Sequence, residues 1–342
     1  GYVVMAHDND TRPGIEAAST TTLNATDRIL VEQSLLGGGV LDGHIEGTRI
    51  AWIGHSRGGE GVVRAYDRLV DEGYSPVAYG AADVVVISSI APTDFLGTNE
   101  ADPHDVNYHL LYGSSDGDVC GCPNSLYPFA VFERAGGFRH STYVHGADHN
   151  DFNCCGFNDF TGPAATEIGR AEAQAVQKAI LLATVKRYID GNVPAEDYFW
   201  RQYERLRPIG VAATTVVVNE YRQASSERIA VLDDFQTEPD PGTASSGGLV
   251  TSNVANLVED RMIDDNGSFS WDGSEPMNGM TRAEPTDATR GAVFDYSVGG
   301  DAFWELQVAA AQRDFSAADY LSFRATQGTR HPETVATLED LV

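Results

Sequence analysis

The sequence predicts an α/β domain built on a mostly parallel sheet, followed by an antiparallel β-sandwich. Three observations carry this. Strand-like and helix-like segments alternate from residue 1 to about residue 191. Residues 83–91 (DVVVISSIA) form a near-continuous apolar run rich in β-branched residues, the mark of a strand buried on both faces. Beyond about Arg222 the pattern changes to short strand candidates between Gly, Pro, Asp and Ser clusters, with no convincing long helix. The boundary falls near 224, giving a first domain over 1–224 and an accessory domain over 225–342.

Each element has its own signal. The apolar run 2–6 reads as a strand. Residues 22–36 carry helical spacing at Leu23, Ile29, Leu30 and Leu35 and stop at Gly37-Gly38-Gly39. Residues 49–53 are the next strand, and 61–70 a helix with Val62, Val63, Tyr66, Leu69 and Val70 inward. After 83–91 come strands at 108–112 and 142–144, then a long amphipathic helix over 166–189 closed by Asp190-Gly191-Asn192. The accessory strands are expected at 229–235, 249–254, 292–296, 303–308 and 320–324.

Composition narrows the function classes. The 342 residues carry 23 Lys+Arg against 50 Asp+Glu, a formal net charge of −27. A phosphate backbone or an anionic lipid surface would repel such a chain, so neither nucleic acid nor membrane is an expected partner. No apolar run approaches the roughly 20 residues needed to span a bilayer. Only Lys178 and Lys186 are lysines; acid excess with scarce lysine suits a protein kept soluble in salty water. Neither end looks like a natural terminus. The chain opens without an initiator Met, charged n-region or signal h-region, and residues 338–342 stop as an apolar segment begins. Both domains are therefore expected to be truncated.

The chemistry sits in the first domain. Ile50-Ala51-Trp52-Ile53-Gly54-His55-Ser56-Arg57-Gly58-Gly59 sets G-x-S-x-G directly after an apolar strand and before a helix. A nucleophile on a sharp strand-to-helix turn needs unusual backbone angles and close approach of neighbouring chain, which side chains would obstruct. Such a turn lifts Ser56 Oγ above the sheet and aims the Arg57 N–H at a substrate oxygen. Serine needs a base held in one tautomer by an acid, in the chain order Ser, Asp, His. Residues 109–119 present Asp116 after a strand that breaks at Gly113, with Asp118 as the rival acid. Residues 142–152 present His149 after a glycine turn, with His145 as the rival base. His145 and His149 beside Asp148 and Asp151 could suggest a metal. Metal-binding H-x-x-x-H pairs lie on helices, however, and Gly146 argues against one. No metal and no other cofactor is expected. Trp52 is expected in the core.

At these three motifs, GHSRGG, GSSDGDV and HGADHNDF, the first domain resembles the α/β-hydrolases over roughly residues 1–190. It is most similar to the cutinase-like polyester hydrolases, including PET hydrolases, then to chlorophyllase and platelet-activating-factor-acetylhydrolase-like esterases. The resemblance implies an α/β-hydrolase fold whose first strands are missing, together with the loop carrying the first oxyanion donor. The isolated chain is therefore expected to be weak or inactive. It also implies a substrate-facing wall at Pro92 and Thr93; for Asp94 a helix-capping role competes. In such a fold the loops after Asp116 and His149 are neighbours, so Cys120 and Cys122 would form one or two disulfides with Cys154 and Cys155. Free thiols or a zinc site are the alternatives. Disulfides would place the protein in a secreted, extracellular setting.

Residues 226–342 carry 14 of the 27 net negative charges. Their pattern resembles the jelly-roll sandwiches of carbohydrate-binding modules. Trp271, Trp304 and Tyr320 are candidates for stacking on sugar or polymer, against a core role. Asp264-Asp265-Asn266-Gly267 is a calcium candidate, against a plain turn. The function expected is that of a serine carboxylic-ester hydrolase acting on bulky or polymeric, cutin-like esters. The alternative is a non-catalytic binding or adhesion protein with an inactive hydrolase half.

Overall fold

The computed structural model describes residues 1–7, 14–97, 99–119, 129–156, 167–200, 207–224, 229–238, 240–261, 290–296, 301–318, 321–323 and 325. The chain divides into two units, Gly1–Gly121 with Ser125–Glu227, and Cys122–Asn124 with Arg228–Val342.

The first unit is α/β. Strands β1 (Ile50–His55), β2 (Val84–Ile90), β3 (Asn107–Gly113) and β4 (Arg139–Val144) are parallel neighbours in chain order, and β5 (Val217–Arg222) joins β4 antiparallel. Helices α1 (Ile15–Val31), α2 (Arg57–Val70), α3 (Ala130–Arg134), α4 (Arg170–Tyr188) and α5 (Asp197–Trp200) accompany the sheet. Adjacent residues of β3 show why both faces must be covered. Leu110 packs with Leu23, Val63 and Ile87, while Leu111 packs with Val144, Val176 and Ile180. Both leucines are fully buried, each stabilising the fold by about 1.5–3 kcal/mol. Trp52 is in the core as expected, its Nε1 donating to Thr26 Oγ1 at 3.0 Å.

Several elements differ from the sequence reading, each for a local reason. Residues 2–6 are not a strand; Val4 is exposed, and the segment is tied down by Tyr2 Oη donating to Asp190 Oδ2 at 2.6 Å. Helix α1 starts seven residues earlier than expected and ends before Leu36, which is extended, and Gly37 and Gly38, whose positive φ angles break the helix. Its inward face is half polar, with Ser19, Thr22 and Thr26 buried beside Ile15, Ala18 and Leu23. Thr22 Oγ1 bonds back to the Ala18 carbonyl at 2.8 Å, so apolar spacing could not reveal this stretch. Strand β5 was not foreseen at all.

The second unit holds two antiparallel pairs, β6 (Val250–Ser252) with β9 (Trp304–Leu306) and β7 (Ala255–Arg261) with β8 (Arg290–Asp295). Strand β7 is new. The expected strand at 229–235 is absent: Asp233 and Asp234 turn their carboxylates onto the N–H groups of Phe235 and Gln236, at 3.1 and 2.8 Å. These turns compete with strand formation, and Phe235 takes a positive φ of 56°. Of 320–324, the described residues Leu321–Phe323 are also not a strand. Trp304 is half-buried and lies against Phe235 at 6.4 Å. Trp271, Tyr320 and the calcium candidate 264–267 lie outside the described residues. No described helix is long and apolar enough to cross a membrane.

Candidate active site

Ser56 sits between the end of β1 and the start of α2 with φ 56° and ψ −127°, a backbone that costs energy for any residue but glycine. Its surroundings hold it there: Ser56 N donates to the Ile90 carbonyl at 2.9 Å, and Gly59 N donates back to the Ser56 carbonyl at 2.8 Å. A Cβ on Gly54 would lie 2.0 Å from the Gly58 carbonyl oxygen, so the turn closes only over glycine. Gly58 itself has open space around it, while Gly59 is the position pressed against Pro92. Gly54→Ala is accordingly expected to remove more than about 3 kcal/mol of stability, read by chemical denaturation. A loss under about 1 kcal/mol would mean the turn has slack.

The acid and the base arrive on the ends of β3 and β4. A Cβ on Gly113 would meet the Ala147 carbonyl oxygen at 2.3 Å, so this glycine lets the two strand ends close together. Asp116 is fully buried. Its Oδ1 accepts from the N–H groups of Asp118 and Val119 at 2.9 and 2.8 Å, and its Oδ2 lies 2.8 Å from His149 Nδ1. His149 opens the 3₁₀ turn His149–Phe152. Asp148 accepts from His149 N at 2.6 Å and Asp151 accepts from Asp148 N at 3.0 Å, fixing where the imidazole leaves the chain. Burial works to lower the His149 pKa, but the bond and charge of Asp116, with the charges of Asp118 and Asp148, outweigh it and leave it raised. Its Nε2 faces Asp118 Oδ2 at 3.4 Å. No hydrogen bond joins Nε2 to Ser56 Oγ among the described residues. The rival base His145 is exposed, and its N–H is bonded to the Val216 carbonyl.

His55, which the sequence reading passed over, is part of this arrangement. Its ring lies 4.6 Å from that of His149. Its Nε2 is 3.0 Å from the His149 carbonyl oxygen and its Nδ1 3.4 Å from Asn153 Nδ2. Asn153 donates to Nδ1, so Nε2 carries the proton and donates to the carbonyl. Burial, with the neighbouring His149, pushes the His55 pKa down to about 4. A neutral histidine thus fastens the residue before Ser56 to the backbone of the base. Only its place inside G-x-S-x-G hinted at this.

The expected wall at Pro92 and Thr93 is corrected. Both are buried under the turn, and the Thr93 hydroxyl is spent on Glu60 Oε2. Glu60 also accepts from Leu96 N at 2.7 Å; burial pushes its carboxyl up against these bonds. Asp94 is no helix cap but a two-pronged partner of Arg134. The surface there is made by Phe95, with the Arg57 guanidinium 5.9 Å from its ring centre. As the first residue of α2, Arg57 brings a backbone N–H without a helical acceptor. A cleft of about 280 Å³ at the free edge of β1 runs between Met5–His7 and Gly54 and Gly58.

The cysteine expectation is also corrected. Cys154 and Cys155 are bonded to each other, so their sulfurs are not available for Cys120 and Cys122, which lie outside the described residues. Past Phe152 the chain turns outward into solvent, where Arg170 holds the carbonyls of Asn150 and Gly156 at 3.2 and 2.6 Å. Among the described residues, one group could hold a metal ion: Asp67, Asp71 and His104. It lies at the far end of α2, and Asp67 there is already paired with Arg64 and His104.

A scan against protein-family models returned no match, and a search of the curated proteins found no similar sequence.

Proposed function

We propose that the protein is a serine hydrolase of carboxylic esters, on an α/β-hydrolase fold, with Ser56 as nucleophile, His149 as base and Asp116 as orienting acid. The observation that carries this reading is the buried 2.8 Å Asp116–His149 contact at the ends of β3 and β4, beside a serine on a sharply bent strand-to-helix turn. In this reading His149 Nε2 takes the Ser56 proton as Oγ attacks the ester carbonyl. The Arg57 N–H receives the oxyanion, and water then releases the acid from the acyl-enzyme. A polymeric or cutin-like substrate, carbohydrate contact by the second unit and an extracellular setting belong to the same proposal.

One observation favours the non-catalytic reading: His149 Nε2 faces Asp118 rather than the serine. A fluorophosphonate probe followed by intact mass and peptide mapping separates the two. The expected result is one label per chain, on Ser56, and none on Ser56→Ala. An unlabelled wild type, together with p-nitrophenyl ester hydrolysis no faster than that of Ser56→Ala, would sink the enzyme reading.

A further inference from the structure

The loop that supplies Asp116 supplies a second carboxylate two residues later, and the two address opposite nitrogens of one imidazole. Asp116 Oδ2 is 2.8 Å from Nδ1 and Asp118 Oδ2 is 3.4 Å from Nε2. They differ in setting: the Asp116 side chain is fully buried, whereas that of Asp118 is half exposed. Asp116 Oδ1 itself accepts from the Asp118 N–H at 2.9 Å, so the fold that seats the acid also sets the backbone from which Asp118 reaches the ring.

The other groups around His149 leave Nε2 to Asp118. From its own turn, Asp148 accepts the His149 N–H and Asp151 caps Asp148. From β1, His55 touches the carbonyl and ring face of His149, and its lowered pKa keeps it uncharged near neutral pH. From α4, Arg170 is engaged with the carbonyls of Asn150 and Gly156.

We propose that Asp118 is a positioning residue that holds His149 at Nε2 in the free protein and must yield that nitrogen before Ser56 can be deprotonated. This rests on His149 being the base of the hydrolase reading. The consequence has a sign. An imidazolium held at both nitrogens keeps its proton to higher pH than one held at Nδ1 alone, so Asp118 confines activity to the alkaline side. A half-exposed contact of this length is worth about half a pH unit.

The test is an NMR titration of the His149 ring in the full chain for wild type, Asp118→Asn and Asp118→Glu, run beside the pH dependence of fluorophosphonate labelling at Ser56. Asp118→Asn is expected to lower the His149 midpoint by about half a unit and to speed labelling about threefold below the midpoint, with no change well above it. Asp118→Glu should keep the wild-type midpoint. A midpoint in Asp118→Asn equal to that of wild type overturns the proposal. If Ser56 fails to label at every pH in all three proteins, the hydrolase reading falls, while the titration still shows whether Asp118 engages Nε2.

Discussion

Asp116→Asn is expected to lower kcat for ester hydrolysis by about four orders of magnitude while leaving KM and the melting temperature nearly unchanged. The reason lies in what each oxygen of Asp116 does. Oδ1 accepts two backbone N–H groups, from Asp118 and Val119, and an asparagine can satisfy them only with its carbonyl oxygen. Its NH₂ must then point at His149 Nδ1, where the carboxylate oxygen was. A donor there makes Nδ1 the acceptor and moves the ring proton to Nε2, the nitrogen that has to receive the serine proton. The side chain still fits, so fold and substrate binding persist while the base is in the wrong tautomer. Parallel assays of kcat, KM and thermal unfolding check this. Activity within about tenfold of wild type would show that Asp116 does not orient the base.

The second large effect concerns stability in mild acid, and comes from two histidines outside the site. His109 and His140 are fully buried between sheet and helices, their rings stacked 4.3 Å apart, with His140 also stacked on Phe199 at 3.9 Å. Burial lowers His109 to about 3, and burial together with His109 lowers His140 well below its ordinary value. Groups with depressed folded-state values contribute stability that is present above the unfolded value, near 6.5, and lost as pH falls toward the folded one. Each costs about 1.4 kcal/mol per pH unit in that window, so by pH 5 the pair removes about 4 kcal/mol. That is a large part of a typical 5–15 kcal/mol. Glu60, Glu220 and His149 are shifted upward and work in the opposite direction, so the histidine share is best isolated by difference. His140→Phe suits this, because Thr184 Oγ1, the partner of His140 Nε2, already donates to the Ile180 carbonyl at 2.8 Å. Between pH 7 and 5, with pH 6 as an intermediate point, denaturation should show wild type losing about 2 kcal/mol more than His140→Phe, most of it below pH 6.5. Parallel losses would overturn the assignment.

What could be read from the sequence follows from where local and tertiary terms agree. The run in β2 and the glycine-bounded turn at Ser56 are dictated by their own residues, and Asp116 and His149 follow from strand ends that break at glycine. The misses share a different cause. α1 turns serine and threonine inward, β5 and β7 mix charges into short strands, and 229–235 is diverted by its own aspartates. Residues 2–6 have the apolar character of a strand but pair with no strand among the described residues. For His55 and Asp118 the information lies in distance across loops, which spacing along the chain does not hold.

Glu60 has a mechanical consequence. It belongs to the first turn of α2, yet its two oxygens grip Thr93 and the N–H of Leu96 on either side of exposed Phe95. The turn that carries Ser56 and the segment that presents Phe95 are thereby clamped by one buried carboxylate. A substitution that reshapes the Phe95 segment is expected to shift the serine turn as well, so the two are traits this scaffold must change together.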